Sequence, residues 1–150
     1  MFSRSILVLF VAISAALVQA TALDKRQAGD QQCNFDRLEI ITDIVQAQKT
    51  TRVLATELQG DAFNTQNINA ASDGLDKSQD AIFSIVTALV AGQKASPNDR
   101  ELVADGLDDA VDALTKINST DPAVVQNLNK IHDQLVAASD AGNRVLEDCK

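Results

Sequence analysis

The stretch Val124–Cys149, VVQNLNKIHDQLVAASDAGNRVLEDC, decides the fold. Apolar or small residues recur at Val124, Leu128, Ile131, Leu135, Ala138, Gly142, Val145 and Cys149. This three-four spacing puts all eight on one stripe of a long helix. The stripe ends on one of only two cysteines; the other, Cys33, stands just before the first helical stretch. A bond between them ties the start of a bundle to its end.

Working backward, Asp121-Pro122 reads as a helix start, an N-cap followed by proline at the first helical position. Ser96-Pro97-Asn98-Asp99 gives the same signal for a third helix, which runs to about Ile117 through Leu102, Leu107, Ala110, Val111, Leu114 and Ile117. A second helix is expected to start between Asn64 and Asn67 and to reach Val90, with Gly92 as its stop. Its line is Ile68, Ala71, Leu75, Ser78, Ile82, Ile85 and Leu89. A first helix, capped by Asn34, runs to about Leu58 along Ile40, Ile44, Ala47, Thr51, Leu54 and Leu58, with Gly60 just beyond. The expected fold is all-α: an antiparallel four-helix up-and-down bundle, closed by one disulfide between its N- and C-terminal helices. It becomes a five-helix variant if a helix breaks at Gly74, Gly106 or Gly142. Each of these glycines reads either as a close helix approach or as a kink.

In that topology Cys33 and Cys149 fall at the same end, an independent check on the pairing. The alternatives are two free thiols or an intermolecular bridge. Closing so long a loop stabilises the fold by at most about 5 kcal/mol. Apolar faces also widen at that end, through Leu38, Ile41 and Val45, through Phe83, Val86 and Val90, and through Leu102, Val103, Val145 and Leu146. Either the core thickens there, or an apolar cavity or patch meets lipid or another hydrophobic surface.

Residues 1–20 read as a signal peptide, with Arg4, an apolar run from Ile6 to Val18 and a small-residue end at Val18-Gln19-Ala20. The run is too short for a membrane span. Residues 21–26 form a short propeptide ending in the dibasic pair Lys25-Arg26, and residues 27–150 are one helical domain. No apolar tail follows Cys149, which argues against a lipid-anchored form. The expected location is extracellular, with cell-wall association one form of it. Loss of residues 1–26 removes three basic side chains and one acidic one, so the formal net charge passes from −8 to −10. A chain this acidic, without a basic cluster, is repelled by nucleic acid and anionic membranes. Only Phe35, Phe63 and Phe83 remain as aromatics, too few for recognition by ring stacking.

No catalytic arrangement is present. A single histidine, His132, falls one step off the helix stripe, and two cysteines with one histidine fall short of a structural zinc site. Asp105, Asp108, Asp109 and Asp112 share the face opposite Leu107, Val111 and Leu114, an ordinary solvated acidic face. A non-enzymatic protein without metal or cofactor is expected, as a monomer. Asn118-Ser119-Thr120 is an N-glycosylation sequon in the turn before the last helix; Asp121-Pro122 just downstream can hinder its use, which leaves occupancy open.

A leader and dibasic site precede a Trp-free, Ala/Leu/Val-rich helical domain. Within it, Ile68-Asn69-Ala70-Ala71, Ala95-Ser96-Pro97-Asn98-Asp99 and Val111-Asp112-Ala113-Leu114 resemble the fungal hydrophobic surface-binding protein A family, which includes the lipid-binding domains of cell-wall galactomannoproteins. The resemblance covers about Leu38 to Leu146; the terminal cysteine pair is not part of the family pattern. It implies a secreted fungal protein that adsorbs to hydrophobic surfaces, recruiting a secreted hydrolase, or that encloses a fatty-acid chain between helices. The candidate apolar lining is Ile44, Leu54, Leu75, Ile82, Ile85, Leu89, Leu107, Leu114, Leu128, Ile131 and Leu135. The alternative is a protein-interaction module, an effector or inhibitor that uses its acidic helical faces against a basic partner. Salt separates the two, since acidic recognition weakens with ionic strength and apolar binding does not.

Overall fold

The computed structural model describes residues 31–149; the leader, the dibasic site and the start at Gln27 lie outside the described residues. Four helices account for the fold: α1 (Gln31–Glu57), α2 (Ala62–Val90), α3 (Pro97–Leu114) and α4 (Pro122–Asp148). None of them breaks at an internal glycine, so the bundle has four helices rather than five among the described residues. None is long and apolar enough to cross a membrane. Neighbours run antiparallel, and two pairs carry most of the packing: α1 lies along α4, and α2 along α3. The α1–α2 contact is shorter and the α3–α4 contact slighter.

Local chemistry sets the ends. Asp61, rather than a residue between Asn64 and Asn67, caps α2 by accepting from the Asn64 backbone N–H at 3.0 Å. Gly60, at φ +95°, makes the tight turn before it. At the other end of α2, Gly92 takes φ +73°, and the N–H groups of Gly92 and Gln93 donate back to Leu89 and Ala88. That double bond pattern is the glycine stop expected of this position. Ser96 stands at the cap position of α3 but makes no side-chain cap bond; Pro97 follows it as expected. Asp121 caps α4 by accepting from Ala123 N–H at 2.8 Å.

Two further expected boundaries shift. Helix α1 is already formed at Gln31, so Asn34 is an interior residue that accepts from Arg37 and does not cap the helix. Helix α3 ends at Leu114, and Ile117 reaches the core from the following loop.

Ile44, Ala47, Leu54, Leu58, Ile68, Ala71, Leu75, Leu107, Ala110, Leu114, Ile117, Val124, Ile131, Leu135 and Ala138 form one continuous core. Between α2 and α3 the packing is backbone to backbone. A Cβ on Gly74 would lie 2.7 Å from the Gly106 carbonyl oxygen and 2.8 Å from the Ala110 nitrogen. Buried Ser78 sits at the same crossing and donates its hydroxyl to the Val103 carbonyl at 2.9 Å. These two glycines therefore serve close approach. Gly142 does not, since a Cβ there would meet nothing within 4 Å.

Helices α1 and α4 are held differently. Cys33 and Cys149 form the expected disulfide, with a Cα–Cα separation of 5.2 Å. One turn further in, Asp36 is buried at 1% exposure and accepts from Arg144 Nε at 3.0 Å, while Arg144 Nη2 donates to Glu39 at 2.5 Å. Thr50 donates to Gln134 at 2.9 Å, and Asn127 to the Glu57 carboxylate at 2.9 and 3.0 Å. The pairing gives the bundle two named ends, a disulfide pole and a turn pole where α1 meets α2 and α3 meets α4.

Candidate functional site

Of the eleven expected lining residues, Ile44, Leu54, Leu75, Leu107, Leu114, Ile131 and Leu135 are buried in the core and pack on one another. Ile82 and Leu128 are partly buried against that core. Ile85 and Leu89 are half-buried farther out on α2, toward the disulfide pole. The residues thus split into a packed interior and an outer group. Leu114, Leu128 and Leu135 also line a slot of about 160 Å³ between α3 and α4, with Val111, Thr115, Asn129 and His132. His132 is exposed at its rim. A second, wider depression of about 630 Å³ lies over α1 and α4, where Ile41, Val45 and Val53 mix with Lys49, Thr50, Lys130 and Gln134.

The stronger feature is what happens beyond the core at the disulfide pole. The last buried residue of α2 is Ala81 and the last of α4 is Ala141; the first of α3 is Gly106. Past those levels no apolar side chain of these three helices is fully buried: Ile82, Ile85, Leu89, Leu102, Val103 and Val145 are half-buried, and others stay in solvent. Phe35, Leu38, Phe83, Val86, Val90 and Leu146 are all exposed, Phe83 by 73% and Val90 by 84%. The widened faces are divided: Ile41, Leu102, Val103 and Val145 are half-buried, while Leu38, Val45, Phe83, Val86, Val90 and Leu146 form a surface.

Helix geometry locates much of this surface on the α1–α2 seam. Gln48 of α1 donates to Asp76 Oδ1 at 2.9 Å and to Gln79 Oε1 at 2.5 Å on α2, which marks the line on which the two helices face each other. Two turns toward the disulfide pole, that line carries Ile41 on α1, flanked by Val45 and Leu38. On α2 the same line continues from Asp76 and Gln79 to Phe83, Val86 and Val90. Helix α2 thus presents an exposed apolar row, Phe83, Val86 and Val90, along the seam at this pole, with exposed Leu38 and Val45 of α1 beside it. The sequence signalled the rows through their widened faces. The polar marker, Gln48 with Asp76 and Gln79, has no local motif and went unread.

Charge surrounds this end unevenly. Arg144 is held above its usual range by its hydrogen bonds to Asp36 and Glu39. Asp43 lies nearby, its carboxyl raised above the ordinary range by burial and by Glu39, with Arg144 pulling the other way. Along α3 the acidic side chains Asp105, Asp108, Asp109 and Asp112 are exposed as expected. Lys77 of α2 reaches Asp109 at 2.9 Å and Asp105 at 3.9 Å, and its pKa is raised by the hydrogen bond to Asp109.

No family model matches the chain, and no curated protein matches it. Among solved structures, the chain is similar in fold to a pectin methylesterase inhibitor from Arabidopsis thaliana, with a TM-score of 0.50 and 17% sequence identity. The match covers 79% of this chain and 80% of that one. At this identity the likeness bears on the fold: an all-helical bundle of the kind used by that inhibitor.

Proposed function

We propose that this chain is a secreted, non-enzymatic interaction module that works from its surface, with the open apolar seam at the disulfide pole as the docking face. One observation carries the reading. The interior candidates are occupied in packing on one another, while six large apolar side chains gather in solvent at one end. The acidic faces of α2 and α3 would steer a basic partner toward that end and accelerate encounter more than they tighten it. The fold shared with an inhibitor of pectin methylesterase supports a protein partner and makes an enzyme of that class the first to try. The test is calorimetric titration of the purified protein into a pectin methylesterase at low and high salt. Binding that survives salt and is lost on substituting Phe83, Val86 and Val90 supports the docking face. Binding abolished by salt alone assigns recognition to the acidic faces instead.

The same exposed pole also favours a second reading, adsorption to a hydrophobic surface, which fits the resemblance to the hydrophobic surface-binding protein A family. Native mass spectrometry with added oleate tests that family's fatty-acid alternative. Stoichiometric adducts would argue for acyl-chain uptake between the helices; a bare mass leaves the surface.

A further inference from the structure

We infer that Asn118 is an N-glycosylation site whose glycan stands at the turn pole, opposite the apolar seam; the inference rests on the reading of the chain as secreted. The sequon Asn118-Ser119-Thr120 lies in the loop between α3 and α4, with Asn118 and Thr120 exposed. Its backbone is not loose. Buried Asn64, in the first turn of α2, donates Nδ2 to the Asn118 carbonyl at 2.9 Å and accepts from the Asn118 N–H at 3.1 Å. The same Nδ2 also donates to the Asp61 cap at 2.8 Å. The main chain of Asn118 is therefore clamped from the inside, which leaves its side chain in solvent. The hydroxyl that a sequon requires, on Thr120, is likewise outward, and Ser119 takes up the Asp121 N–H at 3.2 Å. Because Cys149 follows Asn118 in the chain, the disulfide cannot close before the sequon has entered the secretory lumen.

Position gives the site a consequence. Asn64, bonded to Asn118, opens α2, and Val90 ends it. At 1.5 Å per residue the two lie roughly 40 Å apart along that helix. A glycan on Asn118 covers the turn pole with hydrophilic bulk and leaves Leu38, Phe83, Val86 and Val90 uncovered. Contact with any partner or surface is thereby directed to the disulfide pole.

The test is intact-mass analysis of the full chain secreted from a eukaryotic host, alongside N118Q and alongside the same chain behind a borrowed secretory leader. The expected result is added hexose and N-acetylhexosamine mass, absent in N118Q and removed by a glycan-releasing amidase. A bare mass with both leaders overturns the site. A glycan seen only with the borrowed leader upholds the site and overturns instead the reading of residues 1–20. Hydrogen exchange before and after amidase treatment then reads the geometry without needing a partner. Changes are expected around residues 58–66 and 114–124; changes at residues 35–45 and 83–90 overturn the placement.

Discussion

The two poles of this bundle draw on the same four helices and are finished in opposite ways. At the turn pole Leu58, Ile68, Ile117 and Val124 are buried, and the Asn64 side chain joins Asp61 to the Asn118 backbone, so both connections share one buried amide. At the disulfide pole no comparable apolar plug exists among the described residues. A covalent bond and the Asp36–Arg144–Glu39 cluster hold α1 to α4, while the end of α2 carries Phe83, Val86 and Val90 into solvent. One pole is closed by packing and satisfied hydrogen bonds. The other is kept together by a staple and leaves apolar side chains exposed. The staple and the exposed seam belong to one design: without the first, the second would cost the pole its integrity.

Removing the disulfide tests this most severely. A Cys33→Ser, Cys149→Ser variant is expected to lose about 3–5 kcal/mol in denaturant titration. Faster hydrogen exchange should be concentrated in the first turns of α1 and the last turn of α4. Equal acceleration at both poles would break the contrast. At the opposite end, Asn64→Ala removes the shared amide and leaves the Asn118 N–H and C=O without it. A loss of about 2–3 kcal/mol is expected, with exchange rising in the two turns and not at Cys33.

The glycines give a prediction with opposite signs. Gly74→Ala forces a methyl against the Gly106 carbonyl and should cost about 1–3 kcal/mol. Gly142→Ala enters open space on the disulfide side and should gain up to about 1 kcal/mol from helix propensity. A loss at Gly142 of the same size as at Gly74 would mean that the disulfide pole is packed as tightly as the α2–α3 crossing.

The smallest effect concerns acid. Asp43 is raised above the ordinary carboxylate range, by burial first and by Glu39 second, against the pull of Arg144. The native state therefore keeps this proton to higher pH than the unfolded chain, and stability falls as pH rises from the ordinary carboxylate pKa through the raised one. Asp43→Asn removes that fall. Its melting temperature relative to the parent should rise slightly at neutral pH, and the gain should fade in acid.

Much of this architecture was legible in the chain. The three-four stripes, Gly60 and Gly92, and the Ser96-Pro97 and Asp121-Pro122 starts follow rules that act within a turn or two, and they placed four helices and paired the cysteines. The Asn34 cap failed because α1 is already helical there, at the level where Cys33 and Asp36 tie it to α4. The α2 start was set too late because Asp61, a good cap, stands beside a glycine that reads first as a stop. What the stripes could not give was depth. Ile82, Ile85 and Leu89 repeat the spacing of Ile68 and Leu75, yet they are only half-buried. A helical repeat records which side faces inward; whether a neighbour arrives there depends on the divergence of the helices. For the same reason the sequence joined interior and exterior leucines into one lining, and gave no sign of the Asn64 bridge or of the Asp36–Arg144 pair. Those are long-range contacts between residues without a shared motif.

The most direct measurement is adsorption to an alkyl-coated sensor, followed by mass uptake. Three proteins would be compared: the parent, a Phe83→Ser, Val86→Ser, Val90→Ser variant of the disulfide pole, and a Phe63→Ser, Val125→Ser control at the turn pole. All five side chains are exposed, so each variant should keep its melting temperature closely. The account predicts that adsorption falls by more than tenfold in the disulfide-pole variant and persists in the control. Equal adsorption by all three, or a loss confined to the turn-pole control, would contradict the claim that this protein meets its surroundings through the open seam.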